Sequence, residues 1–376
     1  KVKNFLIIPD KFKGSIDAIQ VSKAIENGLA KVYGTEFKST TIPASDGGDG
    51  FLDTIYNFKL IEKVPVRSVN AFQVPIDSYY LLDSDTNTAY IELSNTVGIR
   101  HLKVPELNVL KATTHGVGLQ IAHALAEGVS SIYIGLGGSA SNDMGLGLLE
   151  ALGVVFLDAQ QRRVSYAFDQ LSQIHSFTLT DFLRDKINHC SFYAVNDVLN
   201  PLFGPTGAAS IYGPQKGGTE KIINRLDTAF KEFTTRFNFP YSQDITLECG
   251  GAAGGTAYGL KVFLNAQFIN GFDFLASIVH LEDLLVTQNY DYVISGEGSL
   301  DNTSFQGKLL GRLIDLTAEH QLPLLLVCGQ SYCDVSAITN THVVELLDED
   351  TPIAQCIAQP FPLIENKVFH FFKSQS

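Results

Sequence analysis

The stretch that decides the fold is SIYIGLGGSASND, residues 131–143. Residues 131–134 form a short apolar run typical of a strand, and the glycines that follow predict a loop. A helical pattern then continues through Leu152. A strand that leads through a glycine-rich loop into a helix is the repeating unit of a parallel sheet with helices on its faces.

The same succession recurs along the chain. Residues 5–8 precede a loop and a helix at about 16–32, and residues 292–294 precede a loop and a helix at about 307–318. A further buried strand follows at 322–327. This alternation predicts an α/β fold with a doubly wound parallel sheet. In such sheets ligands bind beyond the carboxyl ends of the strands, where these loops lie.

Two regions differ from this alternation. Residues 60–92 alternate apolar and polar positions without helices between them, and residues 155–284 are irregular and rich in glycine. With 376 residues the chain is also long for a single core. We therefore predict two domains with a ligand cleft between them. The first comprises residues 1–59, 106–153 and 288–376, and the second, inserted domain comprises residues 60–105 and 154–287.

The composition excludes several classes of protein. Hydrophobic residues make up 45% of the chain and charged residues 18%, as in a well-buried globular enzyme. The net charge of −13 argues against nucleic acid or an anionic membrane as a partner, because both select basic surfaces. No stretch approaches the ~20 apolar residues of a membrane span. Any anionic ligand must therefore be bound by a few local lysines and backbone amides.

Cysteine usage and the first residues indicate a cytoplasmic protein. The five cysteines form no C-x-x-C pair, so we expect reduced thiols in the core rather than disulfides or a zinc site. The first apolar run, at residues 5–8, is too short for a signal peptide.

Two loops near the start of the chain combine acidic residues with glycine. In DKFKGS, residues 10–15, the lysines and the acid could hold an anion or a metal, and Ser15 could cap the next helix. In ASDGGDG, residues 44–50, three glycines let the backbone approach a ligand closely. Asp46 could act there as a base or a metal ligand, whereas Asp49 could simply complement a helix dipole.

The loop at residues 135–143 can present backbone N–H groups to an anion. It also matches G-x-G-x-x-A, and Asp158 lies near the end of the next apolar run. Together these features resemble a dinucleotide-binding fingerprint. Against that function, Asp143 places a carboxylate where a pyrophosphate would lie. A metal ion would reconcile this charge with a nucleotide phosphate, whereas a metal-free NAD site would not.

Three further loops carry candidate residues. Asp197 and Asn200 follow an apolar run, and Lys216 lies in GPQKGG, residues 213–218. The loop at residues 296–301 again places carboxylates at a predicted strand end. The chain has no G-x-x-x-x-G-K-[ST] motif, so it is not a P-loop enzyme.

Taken in order, these loops resemble those of the glycerate kinase family of bacterial glycerate and sugar-acid pathways. The resemblance extends over nearly the whole chain and lies in residues 10–15, 45–50, 135–143, 197–201, 204–209, 213–217, 251–255 and 296–301. It implies a Rossmann-like domain with a second, inserted α/β domain. It also implies the transfer of a phosphoryl group from ATP to glycerate, with Mg²⁺ as the metal.

The chain also departs from the family pattern. Ser45 and Asp49 stand where Ala and Glu are usual, and Asn196 stands where Cys is usual. Ser299 occupies a position that usually holds Arg. Loss of an arginine near an anion site could alter affinity or substrate choice, because Ser cannot reproduce its bidentate geometry.

The chemistry that the resemblance implies assigns roles to the loop residues. Phosphoryl transfer needs the phosphates neutralised, the acceptor hydroxyl aligned and its proton removed. The predicted catalytic residues are Asp46, Lys13 and Asp197; the substrate-binding residues are Lys13, Ser15, Asp10, Gly47, Gly48, Asp49, Lys216 and Asn200; the nucleotide-binding residues are Gly137, Gly138, Ser139, Asn142, Glu297 and Lys308; and the metal ligands are Asp143, Asp197 and Asp301.

Several alternatives stay open at this point. The resemblance favours 2-phosphoglycerate as the product, but the residues equally allow the 3-phosphate or phosphorylation of a related small hydroxy acid. An NAD-dependent dehydrogenase would use residues 135–140 with Asp158 and would leave the other loops unexplained. A non-catalytic hydroxy-acid sensor would keep the glycines and lose the acids, yet the acids are present. The oligomeric state does not follow from the sequence.

Overall fold

The structure is a computed structural model that describes residues 2–44, 47–242, 244, 246–302, 304–305, 309–334 and 338–375. The chain divides into two compact units. Unit 1 consists of Lys1–Ser45 and Phe272–Ser376, and unit 2 is the continuous segment Asp46–Gly271. A continuous segment between two parts of another unit is the arrangement of an inserted domain.

Strands and helices alternate through much of the chain. The strands are β1 (Lys3–Ile7), β2 (Phe37–Thr41), β3 (Glu62–Val69), β4 (Pro75–Asp83), β5 (Thr88–Glu92), β6 (Ser131–Gly135), β7 (Val154–Leu157), β8 (Ser176–Leu179), β9 (Ser191–Val195), β10 (Gln267–Ile269), β11 (Tyr292–Leu300), β12 (Leu324–Ser331) and β13 (Thr341–Glu345). The α-helices are α1 (Ala18–Tyr33), α2 (Phe51–Phe58), α3 (Ser94–Val97), α4 (His115–Ala126), α5 (Leu146–Leu152), α6 (Asp181–His189), α7 (Ala208–Tyr212), α8 (Glu220–Arg236), α9 (Ala252–Leu264), α10 (Gly271–Val279), α11 (Leu281–Thr287), α12 (Leu309–Glu319), α13 (Ile353–Ala358) and α14 (Pro360–Lys373).

A five-stranded parallel sheet in the order β13–β12–β11–β1–β2 forms the centre of unit 1. One of its faces packs against α1 and α14, where Phe5, Ile294 and Leu325 of the sheet share a buried cluster with Ile25 and Val368. The inner strands β1, β11 and β12 carry continuous buried runs, as expected for a parallel sheet covered by helices, whereas the edge strand β2 is mostly polar. This sheet confirms the parallel arrangement predicted from the strand, loop and helix pattern.

The first helix begins slightly later than predicted. The N-cap of α1 is Asp17, whose carboxylate accepts a hydrogen bond from the Gln20 backbone N–H at 2.8 Å. The Gln20 side chain accepts one in return from the Asp17 N–H, which completes a capping box. The prediction that Ser15 caps this helix was therefore wrong. Its hydroxyl instead donates to the Ile357 carbonyl oxygen at 2.6 Å.

A six-stranded mixed sheet in the order β10–β9–β6–β5–β4–β3 forms the centre of unit 2. Strands β5, β6, β9 and β10 are parallel, and β3, β4 and β5 pair antiparallel. Ile91, Ile132 and Ile134 of the sheet share a buried cluster with Val117 of α4 and Leu149 of α5. The carboxyl ends of β5, β6 and β9 therefore lie side by side at one edge.

The observed division of the chain differs from the predicted domain boundaries. Residues 106–153 were assigned to the first domain, but β6 lies between β5 and β9 in the sheet of unit 2. Residues 46–59 also belong to unit 2, and residues 272–287 belong to unit 1. The physical reason is that strand, loop and helix patterns are alike in both units. Periodicity predicts the strand but not the sheet that it joins.

Two further expectations can be compared with the fold. The segment 155–284, predicted to be irregular, contains several helices, among them the seventeen-residue α8. The five cysteines are all free, and Cys190, Cys328 and Cys356 are buried, as predicted for core thiols. Among the residues that the structure describes, no helix combines the length and the apolar character needed to cross a membrane.

Candidate functional site

Three loops meet at the carboxyl edge of the unit 2 sheet. The N–H of Gly137, after β6, donates to the carbonyl oxygen of Gly47 at 3.0 Å. A Cβ atom on Gly137 would overlap the Cα atom of Gly48, so only glycine permits this approach. Leu136 in turn donates to the carbonyl of Val195, at the end of β9, at 3.1 Å. The structure thus brings together the loops that the sequence predicted at neighbouring strand ends.

The loop after β6 presents two backbone donors. Gly138 is exposed and has a φ of 74°, in the left-handed region that favours glycine. Among the described residues, the N–H groups of Gly138 and Ser139 donate to no acceptor, whereas that of Gly137 is occupied by Gly47. Successive N–H groups at a left-handed turn form a concave anion-binding nest. The helix predicted directly after this loop begins only at Leu146, so no helix start lies here, and the two N–H groups beside the left-handed Gly138 are the components from which such a nest could form.

Lys216 lies beneath this loop. Its side chain is buried, with 2% of the residue exposed, and its Nζ donates to the Ser139 hydroxyl at 2.8 Å and to the Ser141 carbonyl at 2.6 Å. Burial lowers the pKa of Lys216 to about 7, and the charge of Asp143 opposes this shift. In the structure this lysine contacts the loop itself, and substrate binding by Lys216 stays a prediction.

Asp143 links the loop to two helices. Its carboxylate accepts hydrogen bonds from the Thr114 backbone N–H at 2.8 Å and from the Thr113 and Thr114 hydroxyls. The backbone N–H groups of Gly145 and Gly147 donate to it at 3.1 and 3.2 Å. These bonds hold the starts of α4 and α5 together. Coordination of a metal by Asp143 stays a prediction, and the observed bonds already use much of the acceptor capacity of this carboxylate.

Several buried polar atoms around the loop lack partners. Ser141 and Asn142 are 0% and 2% exposed, and among the described residues neither the Ser141 hydroxyl nor either polar atom of the Asn142 amide has a hydrogen-bond partner. The Nδ2 atom of Asn196, after β9, is also unpaired and buried. Native proteins pair most such groups, so unpaired ones mark positions completed by water, ions or ligands. A cavity of about 210 Å³ adjoins Asn142 and Asp143.

An ion-pair network beside the loop was missed in the sequence. The Arg100 guanidinium lies 3.3 Å from the predicted substrate-binding residue Asp49 and 3.0 Å from Glu92. Burial raises the pKa of Glu92, while the Ser94 hydroxyl, the Leu52 N–H and Arg100 counteract this shift. Arg100 follows a stretch that was interpreted only as β-structure. The sequence gives no sign that Arg100 lies near the site. The fold places it there, because the Ile99 N–H donates to the Gly138 carbonyl at 2.9 Å.

Asp197 and Asn200 follow β9 at the same edge of the sheet. The Asp197 carboxylate is partly exposed and accepts a hydrogen bond from the Gly271 N–H at 2.7 Å. The Asn200 amide is engaged within its own loop, because its Oδ1 accepts from the Tyr212 hydroxyl and its Nδ2 donates to the Thr206 carbonyl. Asn200 therefore shapes the loop, and substrate binding by this residue stays a prediction.

Candidate residues of unit 1 lie at the ends of β1 and β11, which are neighbouring parallel strands. The Asp10 N–H donates to the Gly296 carbonyl at 2.9 Å, so the two predicted loops are adjacent. Lys13 is exposed, and Glu297 accepts a hydrogen bond from the Ser304 hydroxyl. Asp301 accepts one from the Ser304 N–H at 3.2 Å.

The predicted residues thus fall into two groups. Unit 1 holds Asp10, Lys13, Ser15, Glu297 and Asp301, and unit 2 holds Gly47, Gly48, Asp49, Gly137, Gly138, Ser139, Asn142, Asp143, Asp197, Asn200 and Lys216. The predicted base Asp46 and the predicted nucleotide ligand Lys308 lie outside the described residues. In the part of the chain that the structure describes, no three His, Cys, Asp or Glu side chains are grouped so that they could hold a metal ion.

The dinucleotide fingerprint does not have the fold context that it requires. Strand β7, which precedes Asp158, pairs antiparallel with β8 in a separate two-stranded sheet rather than beside β6. Asp158 itself forms a surface turn, in which its carboxylate accepts from the Gln160 and Arg162 N–H groups. A ribose hydroxyl of a dinucleotide at the loop after β6 would need this acid at a neighbouring parallel strand.

Parallel sheets with glycine, lysine and carboxylate groups at their carboxyl ends are typical of enzymes that bind phosphorylated ligands. The particular family follows from comparison with known proteins. The glycerate kinase family model matches residues 5–374, and the chain belongs to this family.

Curated relatives and a solved structure agree with this assignment. The chain is 30% identical to a glycerate kinase of Bacillus subtilis (strain 168), over 95% of this chain and 92% of the relative. It is 28% identical to the glycerate 2-kinase of Escherichia coli (strain K12), over 89% of this chain and 87% of the relative. The crystal structure of a glycerate kinase 2 from Salmonella typhimurium LT2 superposes with a TM-score of 0.78 at 28% identity, and covers 100% of this chain and 98% of that one. The protein is therefore a kinase of α/β fold.

Proposed function

We propose that this kinase transfers the γ-phosphoryl group of ATP to D-glycerate. The observation that carries the proposal is the pair of N–H groups at Gly138 and Ser139, which have no acceptor among the described residues and are backed by the buried Lys216, in a chain of the glycerate kinase family. A nest of this kind binds phosphate oxygens.

The acceptor hydroxyl must lose a proton as its oxygen attacks phosphorus. In this step the new O–P bond forms while the bond between the γ-phosphorus and the ADP oxygen breaks. We assign the proton to the carboxylate of Asp46, with Asp197 as the next candidate. Lys13, an exposed cation beside Asp10, is the candidate for the glycerate carboxylate or the transferring group.

Mg²⁺ is the metal expected for such a transfer, since it neutralises the charge of the phosphates. Magnesium is usually held by one or two carboxylates together with substrate phosphates rather than by a protein cage. The partly exposed Asp197 and Asp301 fit that limited role better than Asp143, whose oxygens accept hydrogen bonds from two helix starts.

We further propose 2-phosphoglycerate as the product. The support is the relative in Escherichia coli that is described as a glycerate 2-kinase. The 3-phosphate and phosphorylation of a related hydroxy acid are the alternatives. Ser299 is exposed at the end of β11. It stands where the resemblance leads us to expect Arg, and this difference is the reason to test related hydroxy acids.

The experiment is a coupled assay of ADP release with ATP, Mg²⁺ and a panel of small hydroxy acids, followed by phosphorus NMR of the product. We expect the highest kcat/KM with D-glycerate and a single 2-phosphate signal. A higher kcat/KM with another acid would overturn the substrate, and a 3-phosphate signal would overturn the product.

A further inference from the structure

The direct hydrogen-bond partners of the buried Lys216 are neutral groups. Its Nζ donates to the Ser139 hydroxyl at 2.8 Å and the Ser141 carbonyl at 2.6 Å, and no carboxylate among the described residues lies within ion-pair distance. The surrounding segment is tightly packed, because Lys216 ends a short turn at Pro214–Lys216 and Gly217 lies against Leu107. An ammonium in this position is enclosed by protein, and the charge of Asp143 compensates only in part for its desolvation.

Such a charge is costly unless a ligand compensates for it. Desolvation of an ammonium that has only neutral hydrogen-bond partners disfavours its charged form, as the lowered pKa of Lys216 shows. A structural lysine could be replaced by an apolar residue at no loss, or with a gain, of stability. The chain nevertheless has a lysine here, under the loop that carries the N–H groups of Gly138 and Ser139.

The rest of the loop is also incomplete in its polar contacts. The Ser141 hydroxyl and both polar atoms of Asn142 lie next to the two acceptors of Lys216 and are unpaired among the described residues. Unsatisfied polar groups concentrated at one loop indicate a functional site rather than a stabilising one. The hydroxyl of Ser139 connects the ammonium to the nest, since it accepts from Lys216 and its own hydrogen is left to donate outward.

We propose that Lys216 is a positioning residue that acts through Ser139: it fixes the Gly138–Ser139 nest and supplies the buried counter-charge for a nucleotide phosphate bound on it. This inference rests on the proposed kinase function and replaces the expectation that Lys216 contacts substrate directly. The ligand class is the polyphosphate of a nucleoside triphosphate. The acceptor acid is bound elsewhere and does not require Lys216.

The test compares Lys216→Met with Lys221→Met, an exposed lysine on α8 of the same unit. Binding of ATP–Mg²⁺ and of inorganic tripolyphosphate is measured by calorimetry without any acceptor acid, and melting is measured without ligand. For Lys216→Met we expect affinity for both ligands to fall by about 10- to 100-fold, with an unchanged or higher Tm. The Lys221 variant should match the wild type in both measurements.

Steady-state kinetics separate positioning from a purely structural role. Lys216→Met should raise the KM for ATP and leave the KM for the acceptor acid unchanged. Ser139→Ala should also weaken ATP binding, and the double variant should be no weaker than Lys216→Met alone, because both residues act through one contact. If Lys216→Met lowers the Tm but keeps wild-type affinity for ATP, the residue is only structural and the inference is wrong.

The outcome also separates this inference from the proposed function. A wild-type protein that binds ATP but phosphorylates an acid other than glycerate would contradict the proposed substrate and leave the role of Lys216 supported. A wild-type protein that binds neither ATP nor tripolyphosphate would overturn both.

Discussion

At the scale of single residues, the buried ammonium of Lys216 should make stability depend on pH. Its pKa is about 7 in the folded protein, against an ordinary 10.5, so the unfolded chain binds more protons between these values. Stability contributed by this site therefore rises with pH across that window. We expect the Tm advantage of Lys216→Met over the wild type to be largest near pH 6 and to shrink towards pH 9.

Thermal melting of the two proteins between pH 6 and 9 measures this difference, with Lys221→Met as the control. The control should track the wild type at every pH, because Lys221 is exposed. A Tm difference for Lys216→Met that is the same at all pH values would show that the ammonium is not destabilised by its surroundings.

The second residue-scale prediction concerns Asp46, our proposed base. Asp46→Asn keeps the shape of the side chain and removes its basic oxygen. Turnover should fall by about 10²- to 10⁴-fold, the range typical of general-base catalysis, with little change in ATP affinity. Steady-state kinetics and calorimetry with ATP–Mg²⁺ measure the two quantities. A collapse of ATP–Mg²⁺ affinity would instead identify Asp46 as a metal ligand, with Asp197 the next candidate for the base.

At the scale of elements, the contact between the two glycine loops of unit 2 is the most sensitive feature. A Cβ atom at Gly137 would overlap Gly48, so Gly137→Ala must push the loops after β6 and before α2 apart. We expect a loss of about 1–3 kcal/mol of stability, as for other overpacked sites, and a loss of kcat/KM for ATP of at least tenfold. Denaturant melting and steady-state kinetics measure these effects.

The matched control is Gly128→Ala. Gly128 has a φ of 82° and no atom near the position of a Cβ, so the substitution strains the backbone without moving a neighbour. It should cost about 1 kcal/mol of stability and leave kcat/KM unchanged. If both variants lower kcat/KM equally, general destabilisation and not loop geometry controls activity.

At the scale of the whole molecule, the division into units predicts that unit 2 folds on its own. Residues 46–271 are one continuous segment with their own six-stranded sheet and their own buried cluster. A fragment of these residues should show native-like circular dichroism and a single cooperative melt. A fragment without a cooperative transition would show that unit 2 depends on unit 1 for its stability.

Much of this architecture could be predicted from sequence because parallel strands have strong local signals. The runs at 5–8, 131–134 and 292–294 are observed as β1, β6 and β11, and the loops after them lie at the carboxyl ends of the strands. Assignment of β6 to a sheet could not be predicted. The pairing of β6 with β5 and β9 depends on contacts between segments distant in sequence, and the residues of β6 alone do not determine it.

The functional site could likewise be predicted only where the signal lies in the local sequence. The glycine loops were found because glycine marks close approaches and left-handed turns in the sequence itself. The burial of Lys216 could not be predicted, since Pro214, Gln215 and the two glycines after Lys216 indicate an exposed turn. Arg100 was missed because its partners, Asp49 and Glu92, are not adjacent to it in sequence. They come within ion-pair distance of Arg100 only in the folded protein.

The split of unit 1 across the chain sets an order for events on the ribosome. Strand β1 pairs with β11, with Phe5 opposite Tyr292, so the central pair of that sheet cannot form until residues 292–300 have been synthesised. All of unit 2 emerges before then. During translation β1 can pair with β2 early, but its other edge has no partner while the inserted segment completes its own fold. The free edge of the apolar β1 is exposed during that interval, and an exposed strand edge is a site for misassembly or chaperone binding.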